Sequence, residues 1–246
     1  MWRFFLWPWL LALQNLTRLP LGRIPYQAEV FGRATVFFPL VGLVIGGLWT
    51  AAYYLLSPWW PPAVVAAALC GLNFWVTGGM HADGFIDYVD GLGGRTPAER
   101  LAIMRDSTVG AFGVMGGIVL GLFRFALFFS LPSYPWQILL LVPVIGRTGM
   151  VWAIRFFPYA RPQGQGKLYK EFTGNAQVLG ASLIAGVIAV LIGGYKGVML
   201  LGGAVLGALL LGLLFRRQLG GLTGDTYGAL NEILEIGSLA TGLLLW

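Results

Sequence analysis

Charge is what this chain has least of. Only 11% of its 246 residues are Asp, Glu, Lys or Arg, against about 25% in an ordinary soluble domain. That scarcity excludes a soluble globular fold, and no polar stretch is long enough to make a separate soluble domain. Cysteine is nearly absent as well: Cys70 stands alone in an apolar run, so no intrachain disulfide forms and no redox compartment is implied. Histidine occurs once, at His81. There is no G-x-S-x-G, no H-E-x-x-H and no Walker A loop, so the commonest hydrolase, zinc-peptidase and nucleotide-cleaving signatures are missing. The formal charge is +6, but the basic residues sit in short loops and build no patch, which argues against nucleic acid as a partner.

What is present is mostly apolar: 57% hydrophobic residues, mean hydropathy +0.76, and 37 glycines of the kind that let membrane helices pack closely. Runs long enough to cross about 30 Å of hydrocarbon fall near 34–56, 63–79, 110–131, 137–154, 176–193, 198–215 and 227–246. The expected fold is all-α: one polytopic membrane domain over 1–246, a helical bundle of six to seven spans. The opening MWRFFLWPWLLAL has Arg3 ahead of a short apolar run but no small-residue cleavage site, so 1–33 reads as a retained interfacial or re-entrant helix.

The loops alternate in charge. Arg3, Arg18, Arg23 and Arg33 precede the first span, and SPWWPP then carries none. Arg95, Arg100 and Arg105 lie in the 80–109 loop, and LPSYP carries none. Arg155, Arg161, Lys167 and Lys170 follow, then Lys196 alone, then Arg216 and Arg217. The positive-inside rule predicts seven spans, a cytoplasmic N-terminus, cytoplasmic loops at 80–109, 155–175 and 216–226, and an outer C-terminus.

The few acids are concentrated. Six of the ten fall in 83–90 and 225–235, both at cytoplasmic edges in this topology. Asp83, Asp87 and Asp90, in GGMHADGFIDYVDGLGG, are spaced i, i+4, i+7 and form one stripe of a helix. Three like charges on one stripe call for a cation, and Mg²⁺ takes such hard oxygen ligands while keeping positions for water and phosphate. On a continuous helix His81 points away from the stripe; the paired glycines before it would let it swing back. Asp225, Glu232 and Glu235 share one broad face of the last span and are expected to complete the metal site, since intramembrane acids are costly unless paired or functional. Asp225 has an alternative role as a helix cap, and Asp106 as a cap of the third span. Arg124 and Arg147 lie deep in their spans: Arg124 suits a structural ion pair with the glutamates, Arg147 a cavity facing a phosphate. Clustered carboxylates and a metal at a membrane–cytosol boundary suit displacement on a phosphoanhydride, and the residue reading ends at a membrane phosphotransferase. A cation- or proton-coupled transporter using the intramembrane acids is the alternative.

Resemblance goes further. GGMHADGFIDYVDGLGG is similar to the signature of the cobalamin synthase family, the adenosylcobinamide-GDP ribazoletransferases. LTRLP, FPLVGLVIG, ERLAIMRDSTVGAFGV, PYAR and LTGDTYGALNEILEI match further family elements in order, so the resemblance covers nearly the whole chain. Met80, Ala82 and Tyr88 depart from it at positions expected to vary. The D-G-x-x-D core also resembles the CDP-alcohol phosphotransferases, whose Ala-Arg pair is absent here. The resemblance implies Mg²⁺-dependent joining of adenosylcobinamide-GDP to α-ribazole or its 5′-phosphate, with release of GMP. It implies a site on the cytoplasmic face of a prokaryotic inner membrane, with Asp83, Asp87 and Asp90 holding the metal. His81, Asp83, Asp87, Asp90 and Asp106 are the expected catalytic residues, and Arg105, Arg147, Arg161 and Lys167 the expected phosphate-binding ones. The lipid bilayer is an expected partner, and the sequence is compatible with a homo-oligomer.

Overall fold

The computed structural model describes residues 2–22 and 24–246, with side chains from Leu6 onward. Arg23 and the Arg3 side chain, used in the charge count above, lie outside the described residues. Helix α1 spans Trp2–Leu16 and α2 Ala28–Arg33, and a 3₁₀ turn at Ala34–Phe37 leads into α3, Phe38–Leu56. Then come α4 (Pro62–Thr77), α5 (Met80–Gly91), α6 (Pro97–Ile103), α7 (Ala111–Phe129) and α8 (Trp136–Phe156). Helices α9 (Gln165–Phe172), α10 (Asn175–Leu219) and α11 (Gly224–Leu245) complete the chain. Among the described residues five helices are long and apolar enough to cross a membrane, or six if the bent pair α4–α5 is taken as one span. The protein is an all-helical membrane protein.

Helix α8 is the axis of the bundle and α7 its lipid-facing rim: 83% of the apolar window of α8 is buried, against 17% for α7. Helix α3 packs directly on α8 because Gly42 and Gly46, four apart on one face, carry no side chains there. A Cβ on Gly42 would strike the Pro143 carbonyl, and one on Gly46 would lie 2.7 Å from the carbonyl oxygens of Leu139 and Leu140.

The 45 residues of α10 do not form one rod. Gly194 has φ 56° and ψ −137°, a backbone state that suits glycine, and the chain reverses there. Before it, Trp152 Nε1 donates to Ser182 Oγ at 3.0 Å and Leu141 reaches Gly193, so this arm runs antiparallel to α8. After it, Ala208 lies beside Gly149 and Phe157 against Gly212, so the second arm runs parallel to α8.

Two left-handed glycines, Gly78 (φ 65°) and Gly79 (φ 70°), bend the chain by 92° between α4 and α5. Helix α5 is thereby carried out of the spans and across the starts of α7 and α11. Gly84 lets it lie on α11: a Cβ there would come within 2.6 Å of the Asp225 carbonyl oxygen. One turn away, a Cβ on Gly228 of α11 would come within 3.0 Å of the His81 backbone.

Candidate active site

The acidic stripe exists as a stripe. Asp83 is exposed in the first turn of α5, where the helix dipole favours a carboxylate, and Asp87 and Asp90 follow on the same face, part-buried. Asp90 is already employed. Its Oδ2 accepts from the Gly110 amide at 2.6 Å and its Oδ1 from Gly113 at 3.0 Å, so it caps the first turn of α7 from another helix. Asp106, expected as that cap, caps its own turn instead, accepting from the Thr108 amide (2.9 Å) and hydroxyl (2.7 Å). Those two bonds hold the exposed Asp106 carboxyl below its usual range.

Asp225 joins the stripe from α11, and the chain fixes it by a short backbone bridge. Ala160 donates to the Leu222 carbonyl at 2.7 Å and Leu222 to the Pro158 carbonyl at 2.8 Å, tying PYAR to LTGD. Thr223, with its hydroxyl accepting from Thr226, caps α11, so Asp225 is spared that task. It pairs instead with Arg161, Nη2 to Oδ2 at 2.6 Å, and the same nitrogen lies 3.4 Å from the Met104 carbonyl. Burial, then the Asp83 and Asp225 carboxylates, push the Asp87 carboxyl up to about 6, with Arg161 opposing them. Arg105 is exposed at the same edge, and Lys167 is half-exposed on α9, bonded to the Pro162 carbonyl at 2.8 Å. Tyr159, which the sequence reading passed over inside PYAR, stands beside Tyr227 at the same edge, ring centroids 6.2 Å apart. Its signal was its place two residues before Arg161 in PYAR.

The structure separates the other expected site residues from this groove. Glu232 and Glu235 were expected as metal ligands, but they are buried and bound to arginines. Arg124 donates to Glu232 Oε2 at 2.6 Å and to Glu235 Oε2 at 2.9 Å. Arg147 pairs with Glu235 Oε1, which also accepts from Asn231 at 3.2 Å. Arg147 was expected to reach a substrate phosphate; with no exposure at all, it cannot. Two cations against two anions make a neutral cluster that ties α11 to α7 and α8, which is how charges persist at such depth. His81 also leaves the expected set: α5 is continuous from Met80, and His81 is 3% exposed, turned to the core with both ring nitrogens unpartnered.

The donor set that remains, Asp83, Asp87 and Asp225, is all oxygen and suits a hard cation. Among the described residues no group of three or more His, Cys, Asp or Glu side chains is placed to hold a metal ion. Mg²⁺ takes one or two carboxylates and fills its shell with water and substrate phosphate, so Asp83 and Asp87 are the residues that could hold one. The fold and groove define a class: a polytopic membrane protein with an acidic and cationic site at the aqueous ends of its helices.

The comparisons narrow the class to a family. The model of the cobalamin-5-phosphate synthase family matches residues 8–243, and the chain belongs to that family. It is 39% identical over 240 residues to an adenosylcobinamide-GDP ribazoletransferase of Desulfitobacterium hafniense (strain Y51), covering 92% of each chain. It is 38% identical to the protein of that name from Roseiflexus sp. (strain RS-1), over 94% of this chain and 87% of the relative. The Thermosynechococcus vestitus protein of that name is 39% identical over 92% of both chains. No solved structure matches.

Proposed function

We infer that this chain is an adenosylcobinamide-GDP ribazoletransferase, joining adenosylcobinamide-GDP to α-ribazole or its 5′-phosphate and releasing GMP. The observation that carries the reading is the meeting of Asp83, Asp87 and Asp225 with Arg161 at one end of the bundle, in a chain that matches the family almost from end to end. The ribazole hydroxyl forms the new P–O bond to the phosphorus next to the cobinamide, and the anhydride P–O bond to GMP breaks. The hydroxyl proton passes to the acidic groove. Asp83 and Asp87 would hold Mg²⁺, with Asp225 beside them; the bound ion would neutralise phosphate oxygens and ease departure of GMP. Arg161 and Arg105 supply cations for the pyrophosphate, and the Arg161 fork suits two oxygens at once. Asp90 acts at one remove, by holding the α7 start against α5.

The reading extends to the membrane. Seven crossings follow if the two arms of α10 are counted separately and α4 is the crossing of the bent pair. The groove then faces the cytoplasm of a prokaryotic cell. The alternative reading as a transporter relied on Glu232, Glu235 and the deep arginines, and these neutralise one another.

The test is turnover of purified protein with adenosylcobinamide-GDP and α-ribazole. GMP release should require both substrates and Mg²⁺ and should stop in excess EDTA. Absence of GMP release under all these conditions would defeat the assignment, and full activity in EDTA would defeat the metal.

A further inference from the structure

A half-open slot of about 270 Å³ lies between α4, α5 and α7, with exposed Phe74 and Gly121 at its rim and α11 behind it. Its walls are largely apolar, but its depths are not. Glu232 and Arg124, the ion pair described above, line one part, and Asn73 of α4 lines another. Asn73 is 8% exposed and its Oδ1 has no partner. A buried amide left unpaired among apolar helices is costly, and in native proteins such a group usually meets a water or a ligand. Helix α5 joins the slot to the acidic groove. Ala82 and Ile86 line the slot, and the next residue in each case, Asp83 and Asp87, belongs to the acidic stripe.

We propose that this slot receives the planar, apolar base of the ribazole substrate, with its ribose held on the Asp83–Asp87 side of α5. The proposal rests on the function inferred above. Size selects the occupant: pockets for drug-sized molecules run to about 300–1,000 Å³, so a slot of 270 Å³ admits a two-ring heterocycle and not a corrin macrocycle. Chemistry selects between a ring and a lipid tail. An acyl chain gains nothing from a polar amide and an ion pair at that depth, whereas the free ring nitrogen of a benzimidazole, an acceptor, can take a hydrogen bond from Nδ2, the donor end of the Asn73 amide. The ribazole is amphiphilic in the matching sense, with an apolar base at one end and the attacking hydroxyl at the other. The slot also gives the enzyme a reason to be in the membrane: the base is accommodated among apolar helices while the reaction proceeds at the aqueous edge.

Gly121 is the place to test this, since it lines the slot and a Cβ there meets nothing within 4 Å. Gly121→Leu fills the slot without striking the fold, and Cys70→Phe fills it from the opposite wall. Gly47→Leu is the control, an open glycine away from the slot. The measurement is direct α-ribazole binding to purified protein in nanodiscs, alongside GMP release with each substrate varied. Both slot-filling variants should weaken α-ribazole binding and raise its KM at least tenfold, leaving the KM for adenosylcobinamide-GDP and the Gly47→Leu protein unaltered. Unchanged α-ribazole binding in either well-folded slot variant overturns the proposal while the transferase assignment stands. No binding to the parent protein overturns it too, and GMP release then decides the assignment separately. A phospholipid retained in native mass spectra of the parent and lost from both variants, with ribazole binding intact, would make the slot a lipid site and overturn it.

Discussion

At the scale of single residues, the carboxylates divide by whether a cation already answers them. Asp83 and Asp87 have no side-chain partner among the described residues, and Asp87 lies in the field of three other acids. Asp83→Asn and Asp87→Asn should therefore each lower turnover by roughly 100-fold or more, the scale of removing one preorganised electrostatic contact, with unchanged melting temperature. Losses under threefold, or loss of folded protein, would remove them from the metal site. Glu235 and Arg147 are the opposite case, since both are buried and each answers the other. Glu235→Ala or Arg147→Ala leaves a charge stranded, which costs about 3–5 kcal/mol. Thermal unfolding in nanodiscs should show both variants strongly destabilised, and a melting temperature within a degree of the parent would refute the structural role. The sequence showed that each of these residues was unusual, because intramembrane charge is rare. It did not show that Glu232 and Glu235 are already paired, because their arginine partners lie 88 to 111 positions away along the chain.

Among the helices, what was legible was whatever a local pattern encodes. The i, i+4, i+7 stripe became one face of α5, the doubled glycine became a sharp bend, and GGYKG became the reversal at Gly194. What was not legible was which helix each face would meet. Asp90 caps α7 across a gap of 20 positions, and Thr223 relieves Asp225 of capping α11; neither role leaves a mark on the spacing of acids. The α5–α11 crossing is where those contacts converge, and it depends on Gly84. A side chain there meets the Asp225 backbone, which cannot step aside as a flexible side chain could. Gly84→Val should separate the helices and cost about 1–3 kcal/mol. Turnover should fall further than stability implies, because Asp83 and Asp87 would be displaced from Asp225 and Arg161. Rates that track only the fraction of folded protein would show that the crossing supports the fold and not the site.

On the scale of the whole molecule, the loops sort to two ends, and the side-chain contacts do the sorting. The 80–109 loop, the residues after α8 and the start of α11 meet through Asp90 on Gly110, Arg161 on Asp225 and Arg161 on Met104. Tyr53 of α3 donates to the Pro132 carbonyl at 3.1 Å, which joins the α3 end to the α7–α8 turn. Lys196, beside the Gly194 reversal, bonds the Leu245 carbonyl and lies 5.3 Å from the Trp246 ring centroid, so that turn meets the chain's last residues. The end holding the acidic groove also holds most of the basic loops, so the charge rule predicts that this end is the cytoplasmic one, and labelling tests it. With Cys70 replaced by alanine, single cysteines at Ser107, Gln163 and Arg217 should react with a membrane-impermeant maleimide in inside-out vesicles and be protected in sealed, right-side-out ones. Cysteines at Ser57, Ser133 and Tyr195 should behave in the reverse way. The six sites are exposed, so failure to label would reflect side and not burial. Labelling of all three groove-side positions from outside would invert the protein and place the chemistry across the membrane from the nucleotide pool. A mixed pattern within either set would contradict the two-ended arrangement itself, and with it the shared site that Asp83, Asp87, Asp225 and Arg161 form.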